Sequence, residues 1–477
     1  MSSEHVGYVV QIKELKPHSN ADRLQIAVIF GQSIIVGLDV KIGDLGVFFP
    51  TDLQLSKEYC TQNNLVRKKD ENGNNIGGYL DPDKRNIRAM KLRGEKSEGL
   101  FMPLESLAYT GETKFEVGDK IDVLNGHEIC CKYIPRGNKY AGGGKQGNKT
   151  RKKSVPIAPL FAEHADTEQL VYNLDAFHEG DLVEITLKMH GTSGRTGYLP
   201  KFQGYKRSFW DKLFRRQGTP IYEWGYVTGT RRVVLNDFED GGYYGSNAFR
   251  APHAKFFEGK LNKGETVYYE IVGFTTDGTP IMSQVSNSKI SDKAFSKQYG
   301  ETTTFSYGCA PDGEVLLYGQ DDDGKFALPL KVPQSDIYVY RMTMTNEDGN
   351  VVEYTPDFMR YRCEQMGVKY VPVFCQATID PEGVHVYAPP IEEAGFPHET
   401  NCDGDTIKEV AEKYYDGPDP IGKTHVREGV VIRIVNRPKF CAFKHKNFSF
   451  KVLEGIAKDL AAEPDMEEAQ DLIEEES

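Results

Sequence analysis

The chain has 477 residues, 39% of them hydrophobic and 11% aromatic, with 58 Lys+Arg against 70 Asp+Glu and a net charge of −12. That much apolar material excludes a wholly disordered chain and suggests roughly two to four domains. As a total, the acidic balance argues against attraction of nucleic acid by bulk charge.

The first 130 residues read as β-structure. Gly7–Leu15 is β-rich, and Lys16-Pro-His-Ser-Asn-Ala-Asp22 is a turn cluster. Leu24–Phe30, Ser33–Leu38 and Gly46–Phe49 follow as short strands. Ile87–Pro103 adds a strand and turn, and Val117–Val123 a last strand. Short strands at this spacing predict a small barrel or sandwich. Residues 130–160 contain no acid and eight Lys or Arg, with Gly142-Gly-Gly144 among them. That composition reads as a basic, flexible linker or a strap along a phosphate backbone.

From about 160 to 453 the pattern is mixed. Leu182–Leu187, Thr266–Phe274, Ile337–Thr345, Val426–Ile434 and Phe440–Phe450 read as strands. Thr355–Met366 and Thr406–Tyr415 read as helices, with Thr355 as N-cap and Pro356 as first helical residue of the former. The stretches 311–326 and 380–404 read as surface insertions. The tail from Glu454 to Ser477 carries ten acids and one Lys, which suits a frayed acidic helix. The net charge therefore averages a basic linker with an acidic tail and excludes no nucleic-acid partner.

No apolar run reaches the roughly 18 residues of a membrane span. The N-terminus lacks the basic region of a secretory signal. The eight Cys show neither CxxC nor zinc spacing. They read as free thiols in a reducing compartment, so a cytoplasmic location is expected, with no membrane and no obligate protein partner.

The chemistry concentrates in ordered segments. In Glu184–Arg195 a strand delivers Lys188 to a turn at Gly191. A lysine so placed is a nucleophile once its amine is neutral, and the glycine leaves room for a phosphate beside the backbone. Thr228–Leu235 brings paired guanidiniums, Arg231 and Arg232. Val267–Phe274 carries Glu270 among apolar residues, and Val426–Arg433 places Glu428 before a hydrophobic strand. In Lys439–Lys451 the alternation puts Lys444 and Lys446 on one face.

In this order these segments resemble the motifs of the covalent nucleotidyltransferases, the superfamily of ATP-dependent RNA and DNA ligases and mRNA capping enzymes. Lys188-Met-His-Gly191 matches KxxG, and Thr230-Arg-Arg232 the arginine motif. Tyr269-Glu270-Ile-Val-Gly, Tyr338-Val-Tyr-Arg341, Glu428-Gly-Val-Val-Ile and Lys444-His-Lys446 match the later ones. The resemblance spans about 160–453 and implies a lysyl-AMP on Lys188, with ATP and Mg2+ (or Mn2+) as cofactors. Lys444 and Lys446 would hold the α-phosphate, and Glu428 the metal. Glu270 would bind the ribose, Arg231 or Arg232 the ribose or the acceptor end, and Tyr340 would stack on adenine. His190 stands where many ligases carry Asp; some RNA ligases carry His.

Ile12–Leu24 and Lys91–Leu100 resemble segments of tRNA-binding OB modules over about 7–125. An OB module ahead of the ligase domain resembles the RNA ligases of the Deinococcus and Naegleria type. DNA ligases and capping enzymes carry theirs after the last motif, where this chain has too few residues. The implied fold is α+β: an N-terminal OB-type β-barrel, then a nucleotidyltransferase (ATP-grasp-like ligase) domain of antiparallel sheets with flanking helices. The implied boundaries are 1–130 for the OB domain, 131–159 for the linker, 160–453 for the adenylylation domain and 454–477 for the tail. The implied function is an ATP-dependent RNA ligase that joins 5′-phosphate to 3′-hydroxyl ends. Its partner would be RNA, as a nicked duplex or RNA/DNA hybrid, in RNA repair. The alternatives are a non-catalytic structured-RNA-binding protein and a DNA ligase.

Overall fold

The computed structural model describes residues 5–133 except 74, 157–235 except 215 and 217, 238, 246–276, 281–282, 308–309, 315–316, 335–388, 405–421 and 426–461. The chain divides into two compact units. One combines Met1–Gly137 with Phe448–Pro464; the other is built on Asn138–Asn447.

In the first unit, Gly7–Gln11 pairs antiparallel with Leu45–Pro50 and with Lys120–Ile121, and Gly99–Pro103 adds to the outer side of Leu45–Pro50. Leu15–Pro17, Leu24–Ile29 and Gln32–Gly37 form a second, three-stranded sheet. The Phe30-Gly31 turn between the last two has positive φ at both residues, as a two-residue hairpin requires. Val9, Val47, Phe49, Leu53, Leu55 and Tyr59 are fully buried in one core. This is an OB-type arrangement, but the described strands do not close into a single barrel. Where the two sheets meet, the link is one main-chain bond, from Glu98 N–H to the Ser33 carbonyl (3.0 Å), and one from Ile35 N–H to Ser97 Oγ (3.2 Å). A continuous ladder is replaced there by a side chain.

The helix Phe448–Ala461 belongs to this same unit. Lys451 pairs with Glu98 at 2.9 Å, and Lys96 lies over the Phe448 ring. The strand expected over Phe440–Phe450 thus ends at Lys446, and the 453/454 boundary falls inside a helix. The alternating Phe448-Ser-Phe450 imitated a continuing strand. The rest of the expected tail, 462–477, and most of the basic linker, 134–156, lie outside the described residues.

The second unit has two mainly antiparallel sheets. The first runs Glu168–Gln169, Ala442–Lys446, Gly429–Ile434, Leu182–Leu187, Val373–Asp380, Gly383–Ala388. The second runs Val234–Leu235, Thr219–Gly229, Thr192–Lys206, Glu265–Gly273, Ser335–Thr345, Val351–Glu353, with Lys369–Tyr370 parallel to Ser335–Thr345. Glu265–Gly273 is buried along its whole length, so apolar residues do not alternate along it, and Glu265, Thr266 and Glu270 are buried with the rest. The chain passes from the first sheet to the second between Leu187 and Thr192, so Lys188 and Gly191 lie at the crossover.

The helix Pro356–Met366 is capped by the Thr355 hydroxyl and ends at Gly367 with φ 70°. The helix Ile407–Tyr415 opens with a reciprocal Thr406/Glu409 capping box. The stretch expected as an insertion at 380–404 begins as a strand, Gly383–Ala388, hydrogen-bonded to Val373–Asp380; residues 389–404 lie outside the described residues. Of the other insertion, 311–326, only Val315–Leu316 is described, paired with Gly308–Cys309.

His253, on the short helix Ala251–Phe256, meets Ser335 Oγ at 2.7 Å. Burial pushes its pKa down to about 4, against the pull of Asp336. The unfolded chain takes up that proton near 6.5 and the folded chain only near 4. Stability is therefore full above pH 6.5 and falls as pH drops towards 4. Denaturant titrations of His253→Gln should show this acid limb flattened by up to ~3 kcal/mol.

Candidate active site

Glu428 precedes the strand Gly429–Ile434 and is 4% exposed. Lys188 Nζ lies 2.7 Å from its Oε1, and Lys446 Nζ lies 3.5 Å from the same oxygen. His190 Nδ1 lies 3.4 Å from Oε2. Burial would raise the Glu428 pKa, but Lys188, then Lys446 and His190, hold it far below the ordinary carboxylate range. Two lysines thus face one carboxylate. The Lys188 and Lys446 side chains keep 23% and 15% of their surface, enough for an anionic ligand to reach them.

The backbone fixes this cluster. Lys188 N–H donates to the Gly429 carbonyl (3.0 Å), and Asn447 N–H to the Glu428 carbonyl (2.8 Å). Gly429 has φ 150°, and a Cβ there would run into the His445 carbonyl. Gly191 is required for a related reason: its missing Cβ would meet the Ile271 carbonyl and lie 2.9 Å from Glu270 Cγ. The Lys188–Gly191 turn therefore rests on the Glu265–Gly273 strand beside Glu270, which is 9% exposed and registered between Ser193 and Tyr338. Lys444 and Lys446 are half-buried on one face, while the intervening His445 is buried, stacked on Tyr415 and paired with Glu412.

Arg231 and Arg232 follow the strand Thr219–Gly229 in a turn closed by Thr230 N–H to the Val233 carbonyl (2.9 Å). Both guanidiniums reach Asp166, Arg231 by a direct hydrogen bond and Arg232 at 3.7 Å. Burial raises the Asp166 pKa, but Arg231 and then Arg232 outweigh it and bring it below normal. Tyr340 is the extra residue of a β-bulge, since Tyr268 pairs with Arg341 and Tyr269 with Val339. Its hydroxyl lies 3.3 Å from His164 Nδ1, and the two rings meet edge to face. His164 N–H donates to the Arg231 carbonyl (3.2 Å). Residues 164–166 thus join Tyr340 to the paired arginines.

Two groups therefore form: Lys188, His190, Glu428 and Lys446, with Gly191 placing the turn beside Glu270; and Arg231, Arg232 and Tyr340 around His164 and Asp166. Sequence reasoning missed His164 and Asp166, which sit just past the expected linker and carry no motif. It also missed two arginines that are 1% exposed. Arg195 donates to the carbonyls of Thr230 (3.0 Å), Phe161 (3.3 Å), Ala162 and Arg232 (2.8 Å). Arg250 donates to the Ser193 carbonyl (2.8 Å) and Thr192 Oγ1 (3.0 Å). Apart from the bond of Arg250 to Asn247 Oδ1 (3.1 Å), these partners are far away in sequence and leave no local signal.

The residues fit a divalent cation shared with a ligand. Glu428 Oε2 is buried and has no aligned hydrogen bond. Among the described residues no three His, Cys, Asp or Glu come together to hold an ion alone. Such a site suits a hard cation that takes its other oxygens from phosphates and water.

A family model described as an OB-fold domain matches residues 6–104. No curated protein matches the chain in sequence. Among solved structures, a mutant of Naegleria gruberi RNA ligase with ATP and Mn aligns at TM-score 0.52 and 16% identity, over 95% of this chain and 100% of that one. A second mutant with ATP and Mn gives 0.51 and 17%, over 96% and 99%. A third, an apo mutant, gives 0.51 and 17%, over 94% and 98%. The protein thus has the fold of RNA ligases, an OB-fold domain followed by a two-sheet domain. In particular, its fold resembles that of the Naegleria enzyme along nearly its whole length. No helix among the described residues is long and apolar enough to cross a membrane.

Proposed function

We propose that this protein is an ATP-dependent RNA ligase that seals 3′-hydroxyl/5′-phosphate ends, acting on nicks in duplex RNA or RNA/DNA hybrids in RNA repair. The observation that carries the reading is the Lys188–Glu428–Lys446 cluster at the crossover between the two sheets. It lies in a chain whose fold is that of a ligase that has been seen with ATP and Mn.

The neutral amine of Lys188 attacks the α-phosphorus of ATP; a P–N bond forms and pyrophosphate leaves. The RNA 5′-phosphate then takes AMP from Lys188, and the 3′-hydroxyl displaces AMP as the phosphodiester forms. Lys446 and Lys444 meet the charge on the α-phosphate oxygens. The adjacent Lys446 ammonium disfavours a second charge on Lys188, whereas Glu428 favours it. Withdrawal of that carboxylate frees the amine. A divalent cation (Mg2+ or Mn2+) held by Glu428 would supply charge neutralisation at the phosphates. Glu270 takes the ribose hydroxyls and Tyr340 the adenine face. Arg231 or Arg232, poised by Asp166, takes the ribose or the acceptor end.

Incubation with α-labelled ATP and Mg2+ or Mn2+ should label the protein covalently, and added nicked RNA should discharge the label into a sealed strand. Absence of label with retained RNA binding would leave a non-catalytic RNA-binding protein. Sealing confined to a deoxyribose 3′-hydroxyl strand would indicate a DNA ligase.

A further inference from the structure

The strands Thr192–Lys206 and Thr219–Gly229 pair from Arg195↔Gly229 out to Lys206↔Thr219. Only Thr192–Gly197 also pairs with Glu265–Gly273. From Tyr198 outward the hairpin extends as an arm for roughly 30 Å, held by no third strand among the described residues but by two main-chain bonds, Gly264 N–H to the Tyr198 carbonyl (2.8 Å) and Phe202 N–H to the Ile157 carbonyl (2.7 Å). A ribbon of two strands is marginal in water. Leu199 and Val227 anchor its base in a buried cluster with Ala158 and Phe161, and beyond that cluster its side chains need a further reason to hold it.

One face supplies it. Tyr198 stands opposite Tyr226, Pro200 opposite Trp224, and Phe202 opposite Tyr222. Tyr198 and Tyr226 stack at 4.7 Å, and Phe202 meets Tyr205 and Tyr222 at 5.0 and 5.9 Å. At the tip, Phe209–Leu213 turns into a short helix whose apolar side chains face solvent. Phe209 is 73% exposed, Trp210 62%, Leu213 59% and Phe214 60%. Trp210 and Phe214 are stacked within 14° of parallel, and the Arg216 guanidinium lies over the Phe214 ring. The segment is cationic in sequence: residues 198–226 hold six Lys or Arg against Asp211 and Glu223, and Lys201, Lys206, Arg207 and Arg216 are among the described residues. Asp211 is itself engaged by Ser208 at the start of the helix.

We infer that this arm is a stacking platform for a single-stranded segment of the RNA substrate. The inference rests on the ligase reading for the choice of RNA. Flat aromatic faces on a cationic track are what unpaired bases and their phosphates recognise together, without sequence preference. The arm also continues, without a break in the strand, from Thr192 and Ser193 beside Gly191. A strand whose end sits at Lys188 can therefore lie along it. A membrane insert or a self-association patch would need the exposed tip alone and not the aromatic row behind it.

Both tryptophans of the chain, Trp210 and Trp224, are on the arm, so selectively excited tryptophan fluorescence reports on it alone. In Trp224→Phe, addition of a single-stranded RNA of about 20 nucleotides should quench Trp210. In the W210A/F214A double variant, affinity for that RNA should fall about 10-fold or more, with unchanged labelling from α-labelled ATP. Unchanged RNA affinity would overturn the inference. So would wild-type binding to phosphatidylserine vesicles, or self-association, that the double variant loses while RNA affinity stays. If the wild type takes no label yet the double variant loses RNA affinity, the ligase reading fails and the arm stands.

Discussion

Lys188→Arg should abolish covalent labelling by ATP, a loss on the order of 10⁴-fold or more, while the protein stays folded. Arginine keeps the positive charge, so it can still face Glu428, which otherwise pairs with Lys188 at 2.7 Å. It cannot present a neutral nitrogen, because the guanidinium does not lose its proton in a protein. The substitution therefore separates the nucleophile from the cation. Binding of ATP, measured by protection from thermal unfolding, should survive within a few-fold. Label that persists in Lys188→Arg would move the attacking group elsewhere and overturn the role assigned to this residue. The linkage itself is a second readout: a phosphoramidate is labile in acid and resists base, unlike a carboxylate or serine ester of AMP.

Glu428→Gln should keep the nucleophile and change the charge around it. The amide fills the same volume and still accepts a hydrogen bond from Lys188. It no longer balances Lys188 and Lys446, which both lie within 3.5 Å of this carboxylate. Without metal, pyrophosphate should bind at least as tightly as to the wild type, because its charge now meets uncompensated lysines. On the proposed role of Glu428 as anchor for a divalent cation, labelling should nevertheless slow by about 10²–10³-fold. Thermal stability without ligand should drop as well, because like charges then crowd a half-buried site. Metal titrations of the labelling rate check this: the variant should need far higher metal concentrations, whereas an unchanged metal dependence would place the ion elsewhere.

Much of the fold could be read in advance because its signals are local. Leu182–Leu187 is a strand with the bounds that its β-branched run indicates, and Thr355 and Thr406 cap the helices that their following residues suggest. The grouping of Lys188, Glu428 and Lys446 was legible through the order of motifs, although they are far apart in sequence. What stayed hidden depends on distant partners. The Tyr340 bulge exists only as a mismatch between two strands. Asp166 matters only because Arg231 and Arg232 close on it. The strand-to-helix switch at Asn447 is set by its side chain donating to the Tyr415 carbonyl and Asp416, while the local apolar alternation pointed the other way. The open seam of the OB domain, likewise, follows from Ser97 standing in for a ladder bond.

The Arg195 contacts have a consequence for how the protein responds to acid. Its donors never lose their charge, and its four acceptors are main-chain carbonyls that never gain a proton. The joint that holds the Arg231–Arg232 turn against residues 161–162 is therefore blind to pH. His253, by contrast, resists the proton that the unfolded chain accepts. Acidification should thus loosen the place where the helix Ala251–Phe256 meets Ser335 before it touches the Arg195 joint. The turn that carries Arg231 and Arg232 would keep its shape under conditions that already strain the helix Ala251–Phe256.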